Sequence, residues 1–332
     1  MDKSSLPSSK TKVLVVGLGQ LGLPVAKYIR ERGFDTYGYD ISTQAMKRAE
    51  KTGSIKKAHE NSFGEFDVFV LCVSTHKADD IYSPQIDGLL SIVEEKIAKD
   101  AKNGVLVSIE STIPRGTSKK IFEMLNHRVH VAHVPHRWYA VEEKEHGVDQ
   151  MRVVGGVCGC CLREAMQFYM GSSSANVGTA RGIDHGSRSI ENLGIPLHPV
   201  SNIEIAEITK IAENAHRYLQ IAFAEDLYLY CQANNDNINF LELQEALNTK
   251  WNVNILEPRD GIGGHCLPKD TKMFLQSSES SRRSKILTAA IEVDQDYRKY
   301  RHARGIAAQE IEQSINSQIG GDIIRSIVRH AT

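Results

Sequence analysis

The sequence predicts an α/β fold, a Rossmann-like doubly wound parallel sheet followed by an α-helical dimerisation domain. Short apolar runs alternate with helical stretches over the first 200 residues, which is typical of an open sheet covered by helices. A glycine-rich turn joins the first apolar run to the first helix, and from residue 201 the periodicity becomes helical. With 332 residues the chain is long enough for two domains, so we expect a sheet domain over 11–200 and a helical domain over 201–315.

The first strand is predicted at Lys12–Val16, a continuous apolar run typical of a parallel strand buried on both faces. A helix is expected from Leu23 to Arg32, ended by Gly33. The Ser-, Gly- and Asn-rich stretch 170–193 is expected to be a loop insertion. Further strands are predicted at Thr36–Asp40, Val68–Val73, Val105–Glu110, Val129–Val134 and Arg152–Gly155.

The helical domain is expected to contain one long helix over 203–233. About 30 residues pass there without Gly or Pro, and Ile205, Ile208 and Ile211 share one helical face. An apolar face of this length needs a partner, so we expect a homodimer formed through this helix. A second helical region is predicted from Ser284 to about Ser314.

Composition limits the classes of partner. A net charge of −1 gives no general attraction to nucleic acid or to anionic membranes. No run of 18 apolar residues predicts a membrane span. The polar stretch 1–10 lacks the apolar core of a signal peptide, and we expect it, like 316–332, to be a tail. Six cysteines in 332 residues do not indicate a disulfide scaffold, so we expect a cytoplasmic protein.

The first turn has the spacing of a dinucleotide-binding site, Gly17-x-Gly19-x-x-Gly22. In this motif Gly17 makes the tight turn, Gly19 lets a pyrophosphate approach the backbone, and Gly22 lets the helix pack closely on the strand. The helix N-terminus offers free N–H groups to the phosphates. Asp40 follows at the distance of the acid that binds a ribose 2′-hydroxyl and repels a 2′-phosphate, so we expect NAD as the cofactor. The other interpretation is a glycine-rich turn without a ligand.

The segment Gly261–Asp270 places Cys266 directly after a glycine-rich loop. Glycines let the backbone pass close to a ligand, and a cysteine held there is placed like a nucleophile. The other interpretation is a glycine-rich turn with a buried cysteine, since free cysteines are usually buried. The segment alone leaves both open. His265 adjoins Cys266, but adjacent side chains usually diverge, so we expect no influence on the thiol.

Three further cysteines lie close together in sequence, at Cys158, Cys160 and Cys161. Their spacing is not that of a zinc site. We expect small buried residues near a strand end, and no metal.

Four segments occur in the order and at the spacing of one family: Val13–Gly22 with Asp40, Ser111–Thr117, Glu207–Asn214 and Gly261–Asp270. The chain resembles the UDP-glucose/GDP-mannose (nucleotide-sugar) 6-dehydrogenases over residues from about 12 to 300. It is most similar to the branch that acts on UDP-N-acetylmannosamine or UDP-N-acetylglucosamine. The segments that favour this branch are Glu213-Asn214 with Arg217, Ile221–Ala224, Val253–Leu256, Pro135 with Arg137, and Arg152–Gly156.

The resemblance implies oxidation of the C6 primary alcohol of a nucleotide sugar, of UDP-N-acetylhexosamine or UDP-glucose type, to the uronate with two NAD in succession. Cys266 would form a thiohemiacetal and then a thioester, because a thiolate is both a strong nucleophile and a good leaving group. Lys210 would stabilise an alkoxide or act as a base, and Asn214 would hold the substrate oxygen or a water. Asp270 would assist water activation, and Thr112 would lie near the nicotinamide.

Other contacts are implied by the same resemblance. Cofactor contacts are expected from Gly17, Gly19, Gln20, Leu21, Gly22, Asp40, Ser74, Thr75, Ser111 and Thr112. Substrate contacts are expected from Arg137, Lys210, Asn214, Gly261, Gly263 and Gly264.

The sequence departs from the family in four places. His136 stands where the family has a glutamate that assists thioester hydrolysis, so His136 must substitute for it or that step is impaired. Asn252 replaces an arginine that reaches the substrate of a neighbouring subunit. The insertion 170–193 replaces a short connection. The C-terminal domain that binds the nucleotide is expected to be missing, so another chain supplying it is a candidate partner.

Two other functions stay open. A β-hydroxyacid dehydrogenase shares the sheet domain, the helical domain and a Lys210-x-x-x-Asn214 pair, but does not need the cysteine. A degenerate NAD-binding or interaction protein would keep only the cofactor site. Intact Cys266 and Asp270 argue against the latter.

Overall fold

The computed structural model describes residues 10–53, 55–59, 63–138, 146–171, 192–233, 238–277 and 283–305. Over these residues the predicted α/β fold is confirmed: a mostly parallel eight-stranded sheet of order β3-β2-β1-β4-β5-β6-β7-β8 is followed by helices. The strands are β1 Lys12–Val16, β2 Asp35–Tyr39, β3 Lys56–Lys57, β4 Val68–Leu71, β5 Leu106–Ile109, β6 His130–His133, β7 Arg152–Gly156 and β8 Leu197–Pro199.

One strand direction corrects the prediction of a parallel sheet. β7 runs antiparallel to β6, with Ala132 opposite Gly156 and His133 opposite Gly155. A parallel return needs a crossover, usually a helix, and the described parts of the connecting segment, 134–138 and 146–151, contain none. The edge strands β3 and β8 were not predicted, because two and three residues are too short to show a periodicity.

Helices cover both faces of the sheet. They are α1 Gly22–Glu31, α2 Thr43–Gly53, α3 Asp87–Ile92 continued by a π-helical turn Val93–Ile97 and by α4 Ala98–Asp100, α5 Thr117–Met124 and α6 Gly159–Tyr169. Successive residues of β1 enter different cores, since Val13 and Val15 belong to one hydrophobic cluster and Leu14 and Val16 to the other. This alternation explains why the strand is apolar throughout.

The later part of the chain is helical. It contains α7 Ile203–Ala233, α8 Phe240–Asn248, α9 Cys266–Ser277 and α10, residues 285–305. The long helix lies where the sequence predicts it. Predictions about 1–9, 172–191 and 306–332, including both tails and most of the loop insertion, lie outside the described residues. Among the helices that the structure describes, none is apolar over the length that a bilayer requires.

The chain divides into two compact units, and the division falls within α7 and within α9. The sheet unit extends to Glu213 and includes Lys272–Ser277, whereas the helical unit comprises Asn214–Thr271 and the described residues after 282. Small hydrophobic clusters form the core of the helical unit, one around Tyr218, Ala222, Ile262 and Ala290 and one around Ala224, Cys231, Phe240 and Ile255.

The helical unit also buries an acid. Glu225, on α7, has no exposed surface, and within the described residues neither of its carboxylate oxygens has a hydrogen-bond partner. Burial, with the neighbouring Asp294 carboxylate, raises the pKa of Glu225 to about 8.

The cysteine cluster of the sheet unit differs from the prediction. Cys161 is buried, but Cys158 and Cys160 are exposed. They are exposed because Cys158 is the N-cap of α6 and Cys160 lies in its first turn, and a helix N-terminus at the rim of a sheet faces outward.

Candidate active site

The three glycines of the glycine-rich turn differ in what surrounds them. A Cβ on Gly17 would lie 2.6 Å from the Cys72 carbonyl oxygen, and one on Gly22 would lie 1.8 Å from the Gly17 carbonyl oxygen. Gly17 also has a φ of +88°, which favours glycine. A Cβ on Gly19 would meet no atom within 4 Å. Packing therefore requires the first and third glycines, while the second leaves open space that fits the pyrophosphate of a dinucleotide.

Asp40 closes the other side of this turn. Its Oδ2 accepts a hydrogen bond from the Leu18 backbone N–H at 2.7 Å, and its Oδ1 accepts one from Ser42 N–H at 2.7 Å. The carboxylate lines a cavity of about 400 Å³ with Tyr39, Lys47 and others. A cavity at the end of β2 that contains an acid fits the adenosine ribose of NAD.

Two glycine variants separate packing from ligand binding. Gly22→Ala places a methyl group against backbone and is expected to cost about 1–3 kcal/mol of folding stability. Gly19→Ala is expected to leave the thermal denaturation midpoint unchanged but to weaken NAD binding about tenfold or more, ~1.4 kcal/mol. Differential scanning fluorimetry and isothermal titration calorimetry measure the two effects. Unchanged NAD affinity in a folded Gly19→Ala protein would contradict the pyrophosphate assignment.

The remaining predicted cofactor residues lie at strand ends or at the start of α1. Gln20 and Ser74 are exposed, Leu21 and Thr112 are half-buried, and Thr75 is buried. The Ser111 hydroxyl donates to the Val73 carbonyl at 2.7 Å, so this side chain holds the end of β4 in place. Because its hydrogen is used in this bond, the Ser111 hydroxyl could contact a ligand only as an acceptor.

Glu207 is a buried residue of α7 that sequence reasoning assigned no role. Its Oε2 accepts a hydrogen bond from Gly116 N–H at 2.6 Å, and its Oε1 accepts one from Ser118 N–H at 2.8 Å. These bonds satisfy free N–H groups at the start of α5. Burial raises the pKa of Glu207 despite these bonds. Glu207 lies three residues before Lys210, and this spacing could have indicated that both side chains lie on the same face of α7.

His136 lies in a buried polar network, not at a solvent-open position. Its Nδ1 is 2.9 Å from Trp138 N–H, and its Nε2 is 3.0 Å from Arg152 Nη2. Both ring nitrogens therefore face donors, and a neutral imidazole can accept at only one. Burial, with the positive charges of Arg152 and Lys210, holds the pKa of His136 well below its usual range. A histidine in this state is a poor general base.

The same network contains an ion pair that, among the described residues of the sheet unit, is the most deeply buried. Arg152 Nη1 lies 2.8 Å from Glu110 Oε1, and both side chains are 1% exposed. The Tyr169 hydroxyl donates to the same oxygen at 2.5 Å and lies 2.8 Å from Ser108 Oγ. Burial and the Glu110 charge raise the pKa of Tyr169 well above its usual value. The pair joins the end of β5 to the start of β7.

Arg137, predicted to contact substrate, is engaged within the protein. Its guanidinium forms a two-pronged pair with the Glu213 carboxylate, and its Nη1 donates to the Met151 carbonyl at 3.0 Å. A planar guanidinium suits such bidentate pairing. Through its pair with Glu213, Arg137 therefore holds the segment after Pro135 against α7.

Cys266 is the first residue of α9 and is exposed. The loop before it turns through Gly261 and Gly264, whose φ values are +98° and +71°. Free N–H groups at a helix N-terminus favour a negative charge such as a thiolate. His265 Nε2 lies 3.6 Å from Cys266 Sγ. The expectation that the adjacent side chains diverge is therefore wrong, because the turn at Gly264 brings them to the same side.

Two residues that are each predicted to be catalytic, Asn214 and Asp270, contact each other although they are 56 positions apart in sequence. Asn214 Nδ2 donates to Asp270 Oδ2, and Lys269 Nζ lies 2.6 Å from Asp270 Oδ1. Asp270 is 1% exposed, so it is not the surface acid that its lysine neighbours in sequence would suggest. Lys269 and Asp270 follow Cys266 by three and four residues on α9, and Asn214 of α7 contacts this segment through Asp270.

Two residues of α10 hold the glycine loop. Asp294 Oδ1 accepts from Ile262 N–H at 2.9 Å, and Arg298 Nη2 donates to the Ile262 carbonyl at 2.7 Å. Arg298 Nε also donates to Asp294 Oδ1 at 3.0 Å. Both backbone groups of Ile262 are therefore fixed by side chains about 30 residues away, a link with no local sequence signal.

Two family profiles match the chain. Residues 204–296 match the central domain of the UDP-glucose/GDP-mannose dehydrogenase family. Residues 12–134 match the NAD binding domain of 6-phosphogluconate dehydrogenase. The first match includes most of the helical unit, with Cys266, and the second includes the glycine-rich turn with Asp40.

The chain is similar to curated UDP-N-acetyl-D-mannosamine dehydrogenases. It is 28% identical over 309 residues to that of Methanococcus maripaludis, covering 87% of this chain and 66% of the relative. It is 30% identical over 300 residues to that of Pyrococcus horikoshii, covering 81% and 65%. The chain thus spans about 66% of the length of these relatives.

Solved structures show the same fold. The UDP-D-ManNAc dehydrogenase from Pyrococcus horikoshii superposes with a TM-score of 0.73 at 24% identity, covering 92% of this chain and 72% of that one. The UDP-N-acetyl-mannosamine dehydrogenase Cap5O from Staphylococcus aureus gives a TM-score of 0.64 at 26% identity, covering 87% and 69%. With the NAD-binding turn and the Cys266 loop in place, the chain belongs to the UDP-glucose/GDP-mannose dehydrogenase family.

Proposed function

We propose that this chain oxidises the C6 primary alcohol of a nucleotide sugar to the uronate with NAD, through a covalent intermediate on Cys266. The observation that carries the proposal is the arrangement in the helical unit. Cys266 is exposed at the start of α9, and the Asn214–Asp270 pair is formed by residues distant in sequence. A β-hydroxyacid dehydrogenase has no use for such a cysteine.

Cys266 would act at the aldehyde level. Its thiolate adds to the aldehyde carbon and gives a thiohemiacetal, whose oxidation leaves a thioester. Water then attacks the acyl carbon, the C–S bond breaks, and the carboxylate and the free thiol result. The NAD-binding domain holds the group that accepts a hydride when it is bound.

The polar pair of the helical unit suits the hydrolytic half of this reaction. Asp270 would orient water and accept a proton from it, while Asn214 holds the carboxylate in place. Lys210, half-buried on α7, would stabilise the alkoxide that develops on the substrate. His136 is left out of the hydrolytic step, because its pKa is held well below the usual range.

We further propose that two chains associate through α7. Phe223 and Tyr230 are 55% and 62% exposed, and their separation of seven residues places them on one face of the helix. Large exposed aromatic side chains in a row are typical of an interface.

The names of the relatives suggest the substrate class. Both curated relatives are named UDP-N-acetyl-D-mannosamine dehydrogenase, so a UDP-N-acetylhexosamine is the first substrate to test and UDP-glucose the second. Because the chain spans about 66% of their length, its own substrate is proposed from the names of these relatives alone.

The test is the number of NADH molecules formed for each sugar consumed. We expect two NADH per UDP-N-acetylmannosamine or UDP-N-acetylglucosamine, with a uronate as the product, measured by absorbance and by chromatography. One NADH per substrate would point instead to a β-hydroxyacid-type dehydrogenase. Tight NAD binding with no turnover of any of the sugars would indicate a degenerate binding protein.

A further inference from the structure

A cluster of three thiols and an imidazole lies at one end of the β6–β7 pair, outside the proposed active site. β6 and β7 are antiparallel, with Ala132 opposite Gly156. Continuing this register by two residues brings His130 opposite Cys158. Cys158 caps α6, and Cys160 and Cys161 lie in the first turn of that helix. The direction of β7, which sequence did not predict, is what brings the histidine to the cysteines.

The side-chain atoms are close enough to share one ion. The Nδ1 or Nε2 of His130 and the sulfurs of Cys160 and Cys161 all lie within 4.8 Å of one another. Cys158 Sγ lies 2.6 Å from Cys160 Sγ and 3.1 Å from Cys161 Sγ. Ligand atoms around a tetrahedral zinc, with Zn–S of about 2.3 Å and Zn–N of about 2.0 Å, are on the order of 3.5–3.8 Å apart. Small side-chain rotations therefore suffice to surround an ion.

We propose that His130, Cys158, Cys160 and Cys161 form a Zn²⁺ site. Three thiolates and one imidazole are a ligand set typical of tetrahedral structural zinc. On binding, each coordinating thiol releases its proton to solvent and the sulfur keeps the electron pair. The ion would tie the first residue of β6 to the start of α6. The sequence spacing alone did not indicate this site, because the fourth ligand comes from another strand.

Chelator-treated, fully reduced protein would be titrated with Co²⁺, which reports tetrahedral thiolate ligation by its visible and charge-transfer absorption. We expect one Co²⁺ per chain, displaced by one Zn²⁺. Even the hydrogen-bond partners of metal ligands are worth about 10–100-fold in affinity. Cys160→Ser and His130→Asn, both at positions that are not buried, are therefore expected to weaken binding by at least about 100-fold.

Cys266→Ser is the matched control, since it removes an exposed cysteine that lies in the other unit. It should keep the full Co²⁺ spectrum. Circular dichroism establishes that each variant is folded. Absence of thiolate-to-Co²⁺ bands in the reduced wild type, or equal loss in Cys266→Ser, would overturn the proposal. So would a Cys158–Cys160 or Cys158–Cys161 disulfide that persists with metal present, detected under non-reducing conditions as a peptide mass two hydrogen atoms lower.

Discussion

Cys266→Ser is expected to lower the rate of four-electron oxidation of the nucleotide sugar by on the order of 10³-fold or more. A serine hydroxyl is almost wholly protonated at neutral pH, whereas a thiol gives a useful fraction of thiolate. The glycine loop should be unaffected, because Cys266 is exposed and serine is slightly smaller. The measurement is the rate of NADH formation at saturating sugar and NAD, together with the amount of uronate formed.

The control for this variant is Cys231→Ser, which changes a buried cysteine in a separate hydrophobic cluster of the same unit. It is expected to keep two NADH per sugar. Formation of uronate by Cys266→Ser at the wild-type rate would contradict the covalent mechanism. Retained NAD affinity in Cys266→Ser would show that the loss lies in chemistry and not in folding of the sheet unit.

Arg152→Met is expected to cost about 3–5 kcal/mol of folding stability, because it leaves the Glu110 carboxylate buried without its cation. Both side chains of the pair are 1% exposed, so water cannot replace the lost partner. Urea denaturation followed by circular dichroism measures the change. If Arg152→Met is too unstable to purify, the double variant Arg152→Met with Glu110→Gln should recover part of the loss, since it removes the stranded charge.

Arg115→Met is the matched control for the ion pair. Arg115 Nε contacts Glu204 Oε2 at 2.6 Å, but the arginine side chain is 57% exposed. Removing an exposed partner is expected to cost about 0–1 kcal/mol. Equal losses of folding stability in the two variants would contradict the idea that burial makes the Arg152–Glu110 pair important for stability.

Local signals predicted the parts of the site that are continuous in sequence. The glycine spacing and the apolar run before it are enough to predict the turn at Gly17, because strand, turn and helix follow one another. Asp40 could be placed for the same reason. The role of Cys266 as a nucleophile is implied only by the resemblance to a family, since a glycine-rich loop by itself is compatible with a buried thiol.

Contacts between distant segments could not be predicted. The pairing of Asn214 with Asp270 and the support of Ile262 by Asp294 depend on how the helices pack, and no periodicity encodes that. The direction of β7 depends on the connection before it, and a short apolar run is the same in either direction. The sequence allows His136 as a substitute for the family's glutamate, because the burial of His136 beside Arg152 cannot be seen in sequence.

The buried Glu225 makes the proton content of the helical unit change on folding. Its pKa is about 8 in the folded chain, compared with about 4.3 for an unperturbed glutamate. Between these values the folded form holds a proton that the unfolded form has released, so folding takes up a proton. The stability that this group contributes is therefore fully present below about pH 4.3 and is lost progressively as the pH rises through 8. In the unit that carries the proposed nucleophile, the contribution of Glu225 to stability is thus smallest in the alkaline range where a thiol ionises most readily.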